Sequence, residues 1–209
     1  MLIVDNTAKL KNVMNFKQGS YYKFVALVRA KDYKNSSEQV LTSMEKQEIL
    51  VKDWMVDSQE MLDKTLPDML TFTNMFKCRL YMCTDRKSIV KTLKTMRDTV
   101  QKYLDPFIGN SNADCSVQAL KKICSSATNK DESSDSDGRK WLFDVDTKDK
   151  EVLKMVEEYC GSSYESTFET KSGYHVVAKR NFDAHRWTEL MYNNVELKDN
   201  AMVLVAMGE

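Results

Sequence analysis

Apolar and polar residues alternate along this chain with two different periods, and each period predicts a different kind of element. Short runs that are rich in β-branched and aromatic residues, or that alternate strictly, predict strands at 22–29, 49–56, 78–83, 141–145, 164–170, 174–178, 195–197 and 202–206. Apolar residues spaced three and four apart predict helices at 59–76, 87–104 and 149–159, and weaker patterns suggest helices at 113–127 and 185–191. Strands outnumber long helices and the order is mixed, so we predict an α+β fold with helices packed on a mixed central sheet.

Local signals define several of the connections between these elements. Ser58 is a suitable N-cap for the helix that follows it, and Pro67 predicts a kink or break within that helix. The short gap at 171–173 predicts a hairpin turn. Residues 31–45 are polar and predict a loop. The segment 130–138 is acidic, rich in serine and without apolar residues, so we predict that it is mobile and dispensable.

The length of 209 residues is sufficient to bury a sizeable hydrophobic core. The segments on both sides of 130–138 look like parts of one sheet, and we therefore predict a single domain over residues 1–209. Within it we distinguish an N-terminal α/β module at 1–106 and a core at 140–207.

Charge and hydropathy exclude some classes of protein. The 31 lysines and arginines balance the 31 aspartates and glutamates, which argues against a protein that coats nucleic acid by bulk charge but permits local basic patches. No stretch reaches the roughly 20 apolar residues that a membrane helix needs, and the N-terminus does not follow the pattern of a signal peptide. We therefore expect no membrane association and a cytoplasmic location, which is the host cytoplasm if the protein is encoded by a phage.

The chain has five cysteines, an odd number, in a sequence that is not short. We interpret them as reduced thiols, because an export signal and paired spacings are both lacking. A zinc site stays open as the less favoured alternative, since no CxxC pair is present and no histidine lies near them. These residues are Cys78, Cys83, Cys115, Cys124 and Cys160.

Two carboxylates follow an apolar strand in the run WLFDVD. Asp144 and Asp146 are two residues apart, so on a strand they project to the same side. Two like charges side by side repel each other unless a cation lies between them, and Mg²⁺ or Mn²⁺ with oxygen ligands removes that conflict. The alternative is that both carboxylates are exposed at a strand end and bind nothing.

Two further features lie downstream. Ser172 and His175 flank a tight turn at Gly173, and with Lys171 and Lys179 their side chains could hold phosphate oxygens. The alternative is a plain hairpin with a half-exposed histidine. In the run VELKD, Glu196 or Asp199 could complete a metal site with the two aspartates, although either residue alone is more often a surface residue.

In order, these three features resemble the motifs of the archaeo-eukaryotic primase superfamily over about residues 140–207. The likeness is closer to the small primase-polymerase-like proteins of phages and bacteria, through SGYHVVAK, LKDNAMVLV and the segments Arg79-Leu80-Tyr81 and Arg86-Lys87-Ser88. In the superfamily one residue usually separates the serine from the histidine, whereas here Gly173 and Tyr174 intervene. The resemblance implies an RRM-like catalytic core.

The resemblance also implies an activity, namely nucleotide transfer to a nucleic-acid 3′-hydroxyl by two-metal catalysis with Mg²⁺ or Mn²⁺. Asp144, Asp146 and either Glu196 or Asp199 would bind the metals, with Asp144, Asp146 and His175 as the catalytic residues. Ser172 and His175 would contact a nucleoside triphosphate, and the basic candidates for phosphate or template contacts are Lys171, Lys179, Arg79, Arg86 and Lys140. Implied partners are a DNA or RNA template and a replication protein. The alternatives are an inactive nucleotide- or nucleic-acid-binding relative and a metal-dependent nuclease.

Overall fold

The computed structural model describes residues 1–29, 48–108, 123, 125–184 and 194–209. The loop expected at 31–45 and the helix expected at 185–191 lie outside the described residues, as do Cys115 and Cys124. Most of the helix expected at 113–127 also lies outside them, but its described residues, 123 and 125–127, are helical. Among the described residues, no helix is both long enough and apolar enough to span a membrane.

The described residues include ten strands and four α-helices. The strands are β1 Leu2–Asp5, β2 Ser20–Arg29, β3 Glu48–Val56, β4 Arg79–Cys83, β5 Lys87–Ser88, β6 Lys140–Val145, β7 Tyr164–Glu169, β8 Tyr174–Lys179, β9 Val195–Lys198 and β10 Met202–Gly208. The helices are α1 Leu10–Val13, α2 Gln59–Met75, α3 Ile89–Ile108 and α4 Lys150–Cys160. All eight predicted strands and the three stronger predicted helices are present, which confirms the α+β class.

The strands pair as two antiparallel sheets. The first sheet has the order β1-β10-β4-β2-β3, with β5 beside β2, and the second has the order β7-β8-β6-β9. The prediction of one mixed central sheet is therefore wrong. After β9 the chain leaves the second sheet, and the last strand, β10, inserts between β1 and β4 of the first sheet. The C-terminal strand therefore pairs with N-terminal strands.

A shared hydrophobic core joins the two sheets. Leu142 and Val177 of the second sheet pack with Leu80 and Val203 of the first in one buried cluster. The alternate residues of β6, such as Phe143, point to the opposite face, where Val156 and Cys160 of α4 cover them. Because strand residues alternate between faces, β6 is buried on both sides at the centre of the second sheet.

The helix boundaries follow local chemistry. The Ser58 hydroxyl accepts a hydrogen bond from the Met61 backbone N–H at 3.2 Å, which confirms the predicted N-cap of α2. This helix continues through Pro67 without interruption, so the expected break is absent. Helix α3 begins two residues later than predicted, because Lys87 and Ser88 form β5. Lys87 is fully buried, so it is not part of the solvent-exposed surface at the start of α3.

The segment 130–138 is packed, contrary to the interpretation of it as a mobile loop. It forms two short 3₁₀ turns, and Ser133 and Gly138 within it are buried. The guanidinium of Arg86 donates to Asp135 at 3.2 Å and to Asp137 at 2.6 Å. The prediction considered only apolar burial, whereas buried hydrogen bonds and ion pairs hold this segment in place.

Candidate functional site

The central strand β6 positions the first carboxylate of the site. Asp144 lies opposite His175 on β8 and opposite Glu196 on β9. Residues that face each other across antiparallel strands project on the same side of a sheet. The second sheet therefore presents Asp144, His175 and Glu196 side by side on the face directed toward the first sheet.

These residues line a cleft of about 840 Å³ between the two sheets. Eight of the residues predicted from sequence line it, and they are Arg79, Asp144, Asp146, Lys171, Ser172, His175, Glu196 and Asp199. The wall formed by the first sheet adds Arg29, Tyr81, Met202 and Leu204. The cleft thus collects acidic groups at one sheet and arginines at the other.

Asp144 is ionised by its neighbours despite its burial. Burial opposes its charge, but hydrogen bonds from His175 and Lys198, together with the charge of Lys198, outweigh that effect and lower the pKa of Asp144 to about 2. The Lys198 ammonium donates to the Oδ2 atom of Asp144 and also lies 3.1 Å from the Oε2 atom of Glu196. Burial lowers the pKa of Lys198, but its bonds to Asp144 and Glu196 outweigh this and raise it overall.

Sequence reasoning missed Lys198. The signal was present in the run VELK, because Glu196 and Lys198 are two residues apart on one strand and so share a face. Lys198 lies between two carboxylates that the resemblance assigns to a metal ion, and its ammonium serves there as the counter-charge. A lysine in this position changes what the site can bind, since a divalent ion shared by Asp144 and Glu196 must first displace it.

His175 lies beside Asp144, as expected, but its ring does not face open solvent. The residue is 9 % exposed, and its Nδ1 atom accepts a hydrogen bond from the Leu204 backbone N–H at 3.2 Å. A nitrogen that accepts carries no proton, which assigns the proton of a neutral ring to Nε2. Nε2 lies 3.4 Å from the Oδ1 atom of Asp144. His175 therefore holds Asp144 in place and also links the second sheet to β10 of the first.

The hairpin between β7 and β8 carries Lys171 and Ser172 to the rim of the cleft. Thr170 closes the turn, since its N–H donates to the Gly173 carbonyl and its hydroxyl accepts from the Gly173 N–H, each at 2.9 Å. A Cβ atom on Gly173 would lie 1.8 Å from the Val145 carbonyl oxygen. The space that a side chain would need at Gly173 is thus occupied by the backbone of β6.

Three predicted phosphate contacts lie outside the cleft. Arg86 is buried in its ion pairs with the segment 130–138, and Lys140 is buried in an ion pair with Glu165. Lys179 is exposed at the far end of β8, opposite Lys140. These positions correct the assignment of Arg86, Lys140 and Lys179 as contacts to a ligand in the cleft. A basic residue in the sequence indicates a charge, but not which carboxylate neutralises it.

The carboxylates of the cleft have the ligand type that a divalent metal ion prefers, but not the close spacing. Asp144, Asp146 and Glu196 offer only oxygen ligands, the donors that Mg²⁺ and Mn²⁺ prefer. Within the described part of the chain, however, the one compact acidic group is Asp85, Asp131 and Asp199, whose ligand atoms lie within 4.8 Å of one another. Asp199 also pairs with Arg180 at 2.6 Å. Of the two candidates for a third ligand, Glu196 is therefore the one that faces Asp144.

Comparisons of the chain with protein-family models, with curated proteins and with solved structures found no match.

Proposed function

We propose that the cleft binds a nucleoside triphosphate and supports nucleotide transfer to a nucleic-acid 3′-hydroxyl, as in the primase-polymerase proteins that the sequence resembles. One observation carries this proposal. Residues from three separate sequence features, which span Asp144 to Glu196, meet in one cleft together with Arg79 from the N-terminal half of the chain. A volume of about 840 Å³ lies in the range of small-molecule sites, roughly 300–1,000 Å³.

The side chains support distinct roles toward such a substrate. Lys171 and Ser172 at the hairpin, with Arg79 on the opposite wall, offer donors for phosphate oxygens. His175 has its Nδ1 atom engaged by Leu204 and its Nε2 atom directed at Asp144. Its role is therefore to orient the carboxylate rather than to bind phosphate, which revises the role that the resemblance implied.

Asp144, Asp146 and Glu196 are the residues that would hold Mg²⁺ or Mn²⁺. A bound ion would lower the pKa of the attacking hydroxyl and neutralise charge on the leaving pyrophosphate. Lys198 opposes binding of the metal ion, because its ammonium already neutralises Asp144 and Glu196. A triphosphate supplies further oxygen ligands, and its own negative charge attracts Lys198, so we expect ion and nucleotide to bind together more tightly than either does alone.

A second function is favoured by Lys198 itself. If its ammonium stays between Asp144 and Glu196, the cleft binds nucleotides without a metal and the protein is an inactive relative. The two candidates differ in one measurable property. Nucleotide affinity should depend on Mn²⁺ in the active protein and should survive EDTA in the inactive one.

Primer extension tests the proposal. The protein is incubated with a labelled primer on DNA and RNA templates, with Mn²⁺ or Mg²⁺ and either ribo- or deoxynucleotides. We expect extension that is lost in Asp144→Asn and kept in Asp98→Asn, a matched exposed aspartate with an arginine partner. Extension by neither protein, together with nucleotide binding in EDTA, would contradict catalysis and support the inactive relative. Degradation of the primer would indicate a nuclease.

A further inference from the structure

A second group of acidic residues, which does not include Asp144, lies where three connecting segments of the chain meet. Asp85 lies between β4 and β5, Asp131 lies in the first 3₁₀ turn of the segment 130–138, and Asp199 lies in the turn between β9 and β10. One carboxylate oxygen from each lies within 4.8 Å of the others. Oxygens bound to one ion at 2.3–2.6 Å are no more than about 5 Å apart, so this spacing suits a single cation.

Each carboxylate already uses one oxygen elsewhere. The Oδ1 atom of Asp85 accepts from the Lys140 backbone N–H at 2.9 Å, and the Oδ2 atom of Asp131 accepts from Arg139 at 2.7 Å. Arg180 donates to the Oδ1 atom of Asp199 at 2.6 Å. One backbone hydrogen bond and two ion pairs thus account for three of the six carboxylate oxygens.

The remaining oxygens of Asp85 and Asp131 are buried and accept no hydrogen bond of good geometry. The Ser134 hydroxyl and the charge of Lys87 lie near Asp85 and lower its pKa, but burial outweighs them. Asp85 is fully buried, and both its Oδ2 atom and the Oδ1 atom of Asp131 are inaccessible to solvent. A buried polar atom left unsatisfied is costly, and carboxylates whose oxygens lie within 4.8 Å of one another also repel each other. These two atoms, and the close spacing of the three carboxylates, indicate that a further positive or hydrogen-donating group belongs at this junction.

The buried ammonium of Lys87 supplies positive charge near Asp85 and Asp131 but no hydrogen bond to either carboxylate. The ammonium of Lys87 has three N–H donors, and it directs them to the Lys130 carbonyl, the Ser134 hydroxyl and the Asn200 side-chain carbonyl at 3.2, 2.8 and 2.6 Å. All three acceptors are neutral, so no donor of Lys87 is left for a carboxylate. The arginines of the junction likewise bind the outer oxygens of Asp131 and Asp199.

We infer that Asp85, Asp131 and Asp199 bind one hard divalent cation, such as Ca²⁺ or Mn²⁺, through carboxylate oxygens. The ion would join the end of β4, the segment 130–138 and the turn that leads the chain from the second sheet into the first. Its role is structural, because it fixes the junction at which β10 changes sheet. Asp199 also lines the cleft, but this site uses neither Asp144 nor Glu196 and does not depend on nucleotide transfer.

The test is a titration of protein stripped of metal with EDTA. Free Mn²⁺ is followed by electron paramagnetic resonance, and Ca²⁺ binding is followed by calorimetry and by the thermal midpoint. Without nucleotide, when Lys198 opposes an ion in the cleft, we expect one tightly bound equivalent of ion in the wild type, with a midpoint raised by roughly 5 °C or more at 100-fold excess over Kd. Asp131→Asn should weaken binding at least tenfold, whereas Asp98→Asn and Asp144→Asn should keep this equivalent.

Asp85→Asn is the more direct substitution, but its full burial puts folding at risk, and the partly exposed Asp131 provides the second variant. A wild type that binds neither ion would overturn the inference. Burial raises the pKa of Asp85, so a proton shared with Asp131, or a bound water, would then occupy the gap. The inference would also be overturned if Asp144→Asn abolishes binding of the one metal ion and Asp131→Asn retains it. That result would place the ion in the cleft and support the cleft proposal instead.

Discussion

Replacing Asp144 with asparagine should cost stability in a way that depends on pH. The folded protein lowers the pKa of this carboxyl to about 2 from an ordinary 3.8. Since one pKa unit corresponds to about 1.4 kcal/mol, the charged form gains about 2 kcal/mol on folding. The Asp144 side chain is 16 % exposed, so solvent screening reduces this figure only modestly. His175 and Lys198 provide the stabilisation, after overcoming the cost of burial.

The sign of the pH dependence follows from the direction of the shift. A carboxyl with a depressed folded pKa stabilises the fold fully above its unfolded pKa, near 4, and loses that contribution as pH falls toward the folded value, near 2. The asparagine side chain of the variant carries no charge at any pH. We therefore expect the difference in unfolding free energy between wild type and Asp144→Asn to be about 2 kcal/mol at pH 5 and to shrink steadily between pH 4 and 2.

Urea unfolding monitored by tryptophan fluorescence at pH 5, 4, 3 and 2.5 measures this difference directly. Both proteins lose other carboxylate interactions over this range, but those losses cancel in the comparison. A difference that stays constant from pH 5 to 2.5 would show that the effect of the substitution is one of packing. A difference near zero at pH 5 would show that Lys198 and His175 do not stabilise the Asp144 charge.

Three further predictions concern other parts of the fold. Replacing 130–138 with a Gly-Ser linker should lower the thermal midpoint by several degrees, because it removes the partners of Arg86 and Lys87, and an unchanged midpoint would restore the mobile-loop interpretation. Gly173→Ala should cost about 2 kcal/mol or more in urea unfolding, since its Cβ atom meets the Val145 carbonyl, and a neutral result would show that this hairpin can shift. Burial raises the pKa of Cys160 to about 12, so at pH 8 its thiol should react with a disulfide reagent only after urea unfolds the protein, and rapid native labelling would contradict its burial.

The site could be predicted from sequence to the extent that it depends on local geometry. The spacing of Asp144 and Asp146 after an apolar strand, and the short gap before His175, were sufficient to place these residues near one another, because strand alternation and hairpin pairing are short-range effects. The position of Lys198 follows from the same alternation, but the sequence does not show that this lysine neutralises Asp144 and Glu196.

The arrangement of strands into two sheets was not predictable in the same way. Periodicity identifies a strand but not its partner, and β10 pairs with β1 and β4, which are distant in sequence. The turn at Asp199 and Asn200, where Asn200 adopts a positive φ of 46°, redirects the chain between sheets. The order of 130–138 was missed for a related reason, since its ion-pair partner Arg86 lies about 50 residues away.

The central claim is that the cleft holds a nucleotide and a divalent ion at Asp144, and a crystal structure with Mn²⁺ and a non-hydrolysable nucleoside triphosphate tests it most directly. The account predicts an anomalous Mn²⁺ peak bound by Asp144 and Glu196, Lys198 moved away from both, and phosphate oxygens beside Lys171 and Ser172. A structure in which Lys198 still bridges Asp144 and Glu196, with no manganese in the cleft at saturating Mn²⁺ and nucleotide, would contradict it.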